Sequence, residues 1–333
     1  MVRVVIATPL EPELVDRLRA VDKRLEIVFE PDLLPPPRWP SDHVGDPSFA
    51  RTPAQDERFA ELLAGAEIVF GFPREDPAQI PWLVRTAPHL RFVQATYAGA
   101  GQQLAAAGLP LEDVERIAWA SSAGVHATPL AEWALFGILA LTKGLPRLEA
   151  DKRDRRWGHY PVDEVHGTTV LVAGLGEIGR EVARLAEAFG LHVLSTRRNE
   201  GDLDELLPRA DSVVITLPLT AETRGLFHRG RIGLMKPGAI LVNIGRGPVV
   251  DEAALIDALR TGHLRGAALD VYATEPLPAD SPLWQLDNVI LSPHTAAQSI
   301  RENERIVELF ADNLRRYLTG EELRSRIRTD VFY

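Results

Sequence analysis

The sequence contains no cysteine. That excludes disulfides, thiolate metal sites and a cysteine nucleophile, although it does not by itself fix a compartment. A surplus of positive charge is also missing. Lys and Arg number 37 against 47 Asp and Glu, a formal net charge of −10, which argues against a general nucleic-acid binder with a basic footprint. The two local basic runs, residues 152–156 and 324–328, are interleaved with acids or sit at an element end, so they read as solvated helix faces. No long hydrophobic run is present. The most apolar stretch, residues 130–141, carries Glu132 and falls short of the roughly 20 residues that span a bilayer. The first apolar run, residues 2–7, is too short for a signal peptide and meets Pro9 and Glu11 at once. A soluble, cytoplasmic protein is the expectation. With 45% hydrophobic and 25% charged residues the composition is ordinary for a globular chain, and 333 residues suffice for two domains.

What is present is organised around one stretch. The β-branched run at residues 169–173 enters Gly174-Leu175-Gly176-Glu177-Ile178-Gly179 and leaves as a helix. In this pattern Gly174 permits a tight turn, Gly176 lets backbone approach a pyrophosphate, and Gly179 lets the helix pack closely on its strand. Free N–H groups at the helix start then attract phosphates. Strand and helix signals flank the glycines on the correct sides, so the turn reads as a dinucleotide site, with Glu177 and Ile178 in its first helical turn.

The rest of the chain supplies two βα series. Strands are expected at residues 2–7, 25–29, 67–70 and 91–95, with helices at 11–20, 56–64 and 81–87 between them. Residues 30–52, rich in proline, fit no regular element and read as a long ordered loop anchored by Trp39, His43 and Phe49. A long helix follows at 128–144, with Thr128 as its cap. Its charged continuation at 146–156 connects two lobes. From residue 169 six strands (169–173, 192–196, 212–216, 239–243, 266–270 and 289–291) and helices at 178–189, 203–207 and 251–261 make a full dinucleotide-binding domain. The last helix, 297–318, is expected to return to the first lobe. The fold class is therefore α/β, two doubly wound parallel-sheet lobes: a Rossmann cofactor domain (123–298) inserted in a flavodoxin-like substrate-binding domain (1–122 and 299–333).

Three polar residues lie just past strand ends on the edge that holds the glycine turn: Arg246, Glu275 and His294. Each alone has a plain structural reading, as the tie of a turn, the cap of a turn or a helix-terminal residue. Together they offer a cation, an acid and a titratable imidazole at one rim. Reduction of a ketone by hydride leaves an alkoxide that needs a proton, and imidazolium is suited to give it near neutrality. A carboxylate beside the imidazole favours its protonated form. An arginine holds a substrate carboxylate or polarises the keto oxygen.

From Gly167 to Ala297 the chain resembles the D-isomer-specific 2-hydroxyacid dehydrogenase family, glyoxylate/hydroxypyruvate reductases and phosphoglycerate dehydrogenases among them. The resemblance rests on the glycine turn, Leu217-Pro218-Leu219-Thr220 with Thr223-Arg224-Gly225-Leu226, and Asn243-Ile244-Gly245-Arg246-Gly247. It continues through Ala267-Ala268-Leu269-Asp270-Val271 with Glu275-Pro276 to Pro293-His294-Thr295-Ala296. Residues 1–120 match more loosely. The resemblance implies His294 as general acid/base, Glu275 as its partner and Arg246 as the substrate-binding arginine. It implies further that backbone N–H groups of Ala98 and Gly99 hold the substrate carboxylate, and that Asp270 meets the nicotinamide amide. Leu217, Pro218, Thr223, Ile244 and Gly245 would line the cofactor cleft of a homodimeric enzyme.

Two features depart from the family pattern. Where NAD-using members carry an acid after the second strand, this chain has Arg197 and Arg198. Arginine there suits a 2′-phosphate, so NADP is the expected cofactor, with NAD and a merely solvated basic turn as the alternatives. The proline-rich loop is an insertion relative to shorter members. The expected activity is hydride transfer between NADP(H) and a small 2-oxo or D-2-hydroxy acid. Two alternatives stand beside it: an NAD-dependent D-2-hydroxyacid dehydrogenase with a bulkier substrate, and a non-catalytic dinucleotide-sensing, corepressor-like protein. No metal site, nucleic acid or membrane partner is expected.

Overall fold

Parallel strands cannot be joined by tight hairpins, so each pair needs a crossover, usually a helix. The alternation of β-branched runs and amphipathic segments builds that arrangement twice. The computed structural model describes residues 1–72, 76–196 and 202–329. The chain divides into two compact units, Met1–His126 with Ser299–Tyr333, and Ala127–Gln298.

The first unit runs β1 (Val2–Ile6), α1 (Pro12–Arg19), β2 (Leu25–Val28), α2 (Pro53–Ala64), β3 (Ile68–Phe70), α3 (Gln79–Thr86), β4 (Phe92–Gln94), α4 (Ala100–Ala106), α5 (Leu111–Arg116) and β5 (Ala118–Ala120). Its C-terminal helix, Glu302–Thr319, completes it. The sheet order is β2-β1-β3-β4-β5, every pair parallel, which is the flavodoxin-like order. Alternate side chains supply opposite faces: Val5 and Val69 enter one core with Phe59 and Leu63, while Val4 and Ile68 enter the other with Ile306 and Phe310. The expected strands all form. β5, α4 and α5 leave little pattern in the sequence, because Ala118-Trp119-Ala120 is too short to show alternation and 100–106 is mostly Gly and Ala.

The second unit runs α6 (Ala127–Thr142), α7 (Leu145–Arg153), β6 (Thr169–Ala173), α8 (Glu177–Ala188), β7 (His192–Thr196), α9 (Leu203–Leu206), β8 (Ser212–Ile215), α10 (Arg229–Leu234), β9 (Ala239–Asn243), α11 (Glu252–Arg260), β10 (Leu264–Leu269) and β11 (Val289–Leu291). The all-parallel sheet is ordered β11-β10-β9-β8-β6-β7. The order reverses at β6, between β7 and β8, so the glycine turn after β6 opens at the switch point where such sheets bind ligands. Leu171 and Ala173 point into one core, Val170 and Val172 into the other. On the second face α6 lies so close to β10 that a Cβ at Gly137 would meet that of Ala268 at 2.6 Å.

Two local expectations need correction. Helix α6 starts at Ala127, so Thr128 sits inside its first turn, and the charged segment is a separate helix, α7, set off by Gly144 at φ +70°. The 30–52 loop has one short 3₁₀ turn, Pro31–Leu33; of its expected anchors His43 and Phe49 are half-buried but Trp39 is not, and the loop is held instead by buried Leu33 and Leu34 and by polar residues. Trp39 is 47% exposed, whereas Ser41 and Asp42 are buried. Asp42 accepts from Arg38 Nε at 2.8 Å and from Gly45 N at 3.0 Å. Burial pushes its carboxyl up, but these bonds outweigh that and hold it well below the usual range. Ser41 N donates to Glu11 Oε1 at 2.9 Å, and Asn303 Nδ2 to Glu11 Oε2 at 2.9 Å.

Candidate active site

The three glycines of the turn do different work. Gly174 has φ +104°, and a Cβ there would sit 2.9 Å from Thr216 Oγ1 and 3.0 Å from a Leu217 methyl. At Gly179 a Cβ would lie 1.9 Å from the Gly174 carbonyl oxygen. Both are demanded by the protein's own packing. Gly176 is different. A Cβ there would meet nothing within 4 Å, and the residue is exposed, so that glycine keeps open ground beside backbone. It also caps α8 without a side chain, leaving the first-turn N–H groups with no side-chain acceptor, as a phosphate site requires. The Thr216 hydroxyl fixes the turn by donating to Gly174 O at 2.6 Å. These features fit a dinucleotide.

Further along the same edge, the Thr223 hydroxyl donates to Pro218 O at 2.6 Å and accepts from Thr220 N at 2.8 Å, holding the turn that follows Leu217. Ile244 and Gly245 are buried at the end of β9, and a Cβ at Gly245 would lie 2.6 Å from Leu217 O. Asn243, buried as the last residue of β9, accepts from Gly245 N at 3.1 Å and donates to Arg246 O at 3.3 Å. Arg246 is thereby delivered to the surface. One of its nitrogens, Nη1, donates to Gly245 O at 2.7 Å, and the rest of the fork has no protein acceptor among the described residues.

Glu275 and His294 meet. His294 Nδ1 lies 2.7 Å from Glu275 Oε2, and the second carboxylate oxygen accepts from Tyr272 N at 3.0 Å. Carboxylate on Nδ1 fixes that nitrogen as a donor and turns Nε2 outward. Both side chains are partly open to solvent, His294 at 46% and Glu275 at 36%. His294 has φ +56°, a left-handed conformation uncommon for a residue with a Cβ. The neighbouring loop imposes it. Asp270, buried at the end of β10, gathers Ser292 Oγ at 2.7 Å, Thr295 N at 2.9 Å and Ala296 N at 3.0 Å onto Oδ1 alone. Its Oδ2 has no protein partner among the described residues, which leaves one oxygen for an amide donor. Tyr272 ties the two loops: its hydroxyl donates to Ser292 O at 2.7 Å, with Leu269 O at 3.0 Å. Burial pushes that phenol up to about 12, so it remains a donor. Gly247 completes the assembly, since a Cβ there would lie 1.8 Å from Tyr272 O.

Neighbouring strands β9, β10 and β11 thus carry Arg246, Glu275 and His294 in spatial order on the edge that also bears the glycine turn. Ala98 and Gly99 belong to the first unit, between β4 and α4. Their N–H groups donate to no protein acceptor among the described residues, and a Cβ at Gly99 would meet nothing within 4 Å. Arg197 and Arg198 lie outside the described residues. Sequence reasoning missed Thr216, Asn243, Tyr272 and Ser292, and the positioning role of Asp270. The available signal was a polar residue closing an otherwise apolar strand, as Asn243 and Asp270 do. Among the described residues no cluster of His, Asp and Glu could hold a metal, and no helix is long and apolar enough to cross a membrane.

Residues 135–296 match the D-isomer specific 2-hydroxyacid dehydrogenase, NAD binding domain. A D-3-phosphoglycerate dehydrogenase from Mycobacterium bovis is 40% identical over 216 residues, covering 61% of this chain and 40% of that protein. A glyoxylate reductase from Thermofilum pendens is 40% identical over 219 residues, covering 60% of this chain and 64% of that protein. The match thus spans less than two thirds of either relative. Among solved structures, an NADPH-dependent glyoxylate/hydroxypyruvate reductase from Sinorhizobium meliloti in complex with NADP and sulfate aligns over the full length of both chains, with TM-score 0.74 and 25% identity. Over residues 135–296 the chain is thus similar to the NAD binding domain of D-isomer specific 2-hydroxyacid dehydrogenases.

Proposed function

We propose that this protein is an NADP(H)-dependent reductase of small 2-oxo acids of the glyoxylate or hydroxypyruvate type, interconverting them with D-2-hydroxy acids. The observation that carries the reading is the His294–Glu275 pair at 2.7 Å, with Nδ1 engaged and Nε2 outward. Such a pair is a proton donor held in one orientation, which ketone reduction requires and a passive dinucleotide sensor does not.

Gly174, Gly176, Glu177, Ile178 and Gly179 would hold the phosphates of a dinucleotide, Leu217, Pro218, Thr223, Ile244 and Gly245 would line its cleft, and Asp270 would accept from its amide. When bound, the nicotinamide supplies the hydride. Arg246 holds the substrate carboxylate or keto oxygen through its free nitrogens. As the carbonyl carbon gains the hydride, its oxygen gains charge, and His294 Nε2 delivers a proton to that oxygen. The neutral imidazole then regains a proton from solvent, and Glu275 holds the ring throughout. The reverse reaction uses the same nitrogen as base. Arg197 and Arg198, next in the sequence after β7, would receive the 2′-phosphate, and the S. meliloti relative was solved with NADP. A homodimer is the expected assembly.

The test is a panel of 2-oxo acids assayed by oxidation of NADPH and of NADH. Glyoxylate and hydroxypyruvate are expected to give the highest kcat/KM, with NADPH favoured by at least about tenfold, the worth of one charge-assisted contact. Turnover of none of the panel, or a clear preference for NADH, overturns the reading or its coenzyme half.

A further inference from the structure

At the amino-terminal edge of the first unit's sheet, the edge opposite β4's carboxyl end with Ala98 and Gly99, lies a cavity of about 650 Å³. It is lined by Arg3, Gly65, Glu67, His89, Arg91 and Tyr317. Parallel register sets three charged residues side by side there. Val4 pairs with Ile68 and Ile68 with Phe92, and one position earlier Glu67 N donates to Arg3 O at 2.9 Å while Arg91 N donates to Glu67 O at 2.8 Å. The row reads Arg3, Glu67, Arg91 across three strands.

By register Glu67 is the natural partner of both arginines. It pairs with neither. Tyr317 of the C-terminal helix donates its hydroxyl to Glu67 Oε1 at 2.7 Å. Burial, then the Glu67 carboxylate itself, push this phenol above its ordinary range, so it stays a donor. Neither guanidinium has a hydrogen-bonded or ion-paired partner for its side chain among the described residues. Arg3 Nε is, moreover, buried without an acceptor, a condition native proteins avoid unless a ligand or water answers it. A Cβ at Gly65 would crowd Arg3 Nη1 at 3.0 Å, so glycine keeps that fork in place.

We propose that this cavity binds a phosphate group, held by the forks of Arg3 and Arg91 with His89 at its margin. A carboxylate fills one guanidinium fork. Two forks facing one space need the additional oxygens and charge of a phosphate. The site lies in the unit that does not carry the glycine turn, and its ligand is inorganic phosphate or the phosphate of a small monoester.

Calorimetric titration of the full chain with inorganic phosphate and with glycerol 3-phosphate, at ionic strength fixed with chloride, tests this. One saturable site is expected for at least one of the two. Tighter binding of glycerol 3-phosphate identifies a monoester site, and equal or weaker binding a free-phosphate site. Arg91→Gln is expected to weaken binding at least about tenfold, the loss of a charge-assisted pair. Arg91 is exposed, and its strand bonds are made by backbone, so this variant folds. Tyr317→Phe is expected to weaken binding as well although both arginines remain, because the freed Glu67 swings onto them. Gly176→Ala leaves the binding intact, which separates this site from the glycine turn. Absence of binding to the unaltered chain, or binding that survives Arg91→Gln, overturns the proposal.

Discussion

His294 illustrates how a single residue is held in one orientation by the residues around it. Its φ of +56° is a conformation that costs about 1–3 kcal/mol for a residue with a side chain. Three hydrogen bonds to one oxygen of Asp270 hold the segment around it, and Glu275 then fixes the ring. His294→Gln keeps a polar side chain of similar length but removes the proton. It is expected to lower kcat by on the order of 10²–10⁴-fold, with little change in coenzyme affinity or thermal stability. Full turnover in that variant, measured by NADPH oxidation, would refute the assignment. Arg246, Glu275 and His294 were readable from the sequence because each follows an obvious strand. Asp270's hold on residues 292–296 was not readable, since contact across more than twenty positions depends on β10 and β11 lying side by side.

At the scale of elements, the strand–turn–helix unit β6–α8 separates folding from binding within one motif. Gly179 and Gly174 answer steric demands inside the protein, whereas the space beside Gly176 is open. Gly179→Ala forces a Cβ to within 1.9 Å of a carbonyl oxygen and is expected to destabilise the fold by roughly 3 kcal/mol, the upper range for overpacking. Gly176→Ala is expected to leave the unfolding midpoint of the ligand-free protein nearly unchanged while weakening coenzyme binding at least about tenfold by crowding the pyrophosphate. Denaturant unfolding read beside fluorescence titration with NADPH checks both. A Gly176→Ala variant with unaltered affinity would show that the turn does not hold the phosphates. The motif was legible as a whole, but this division of labour was not, because it depends on where Thr216 and the Gly174 carbonyl sit in space. The 30–52 loop makes the same point. Its prolines announced irregular structure, yet among its anchors are Ser41, whose partners Glu11 and Asn303 come from distant parts of the sequence, and Asp42, which binds Arg38 and Gly45 within the loop.

For the whole molecule, ligand binding and stability are linked by mass action. A coenzyme present at 100 times its Kd stabilises the folded state by about 2.7 kcal/mol. At equal millimolar concentrations NADPH is therefore expected to raise the thermal midpoint more than NADH does, a comparison that requires no turnover and no knowledge of the substrate. Equal shifts would count against a 2′-phosphate role for Arg197 and Arg198. Both sheets are wholly parallel, so their binding edges are set by chain direction alone: every loop that leaves a strand's carboxyl end arrives on the same edge. This is why residues as far apart as Gly174 and His294 share one rim of the second unit.

Local sequence determined most of the elements, their parallel character, the glycine turn and the identity of the rim residues. Periodicity, backbone freedom and strand-end position are properties of short segments. Only the tertiary structure decided the rest: that Glu275 reaches His294, that Asp270 and Tyr272 hold the loops beneath them, and that Tyr317 draws Glu67 away from Arg3 and Arg91. Each of these is a hydrogen bond between side chains or loops on different strands or helices, and its existence depends on strand order and register, which no local pattern encodes.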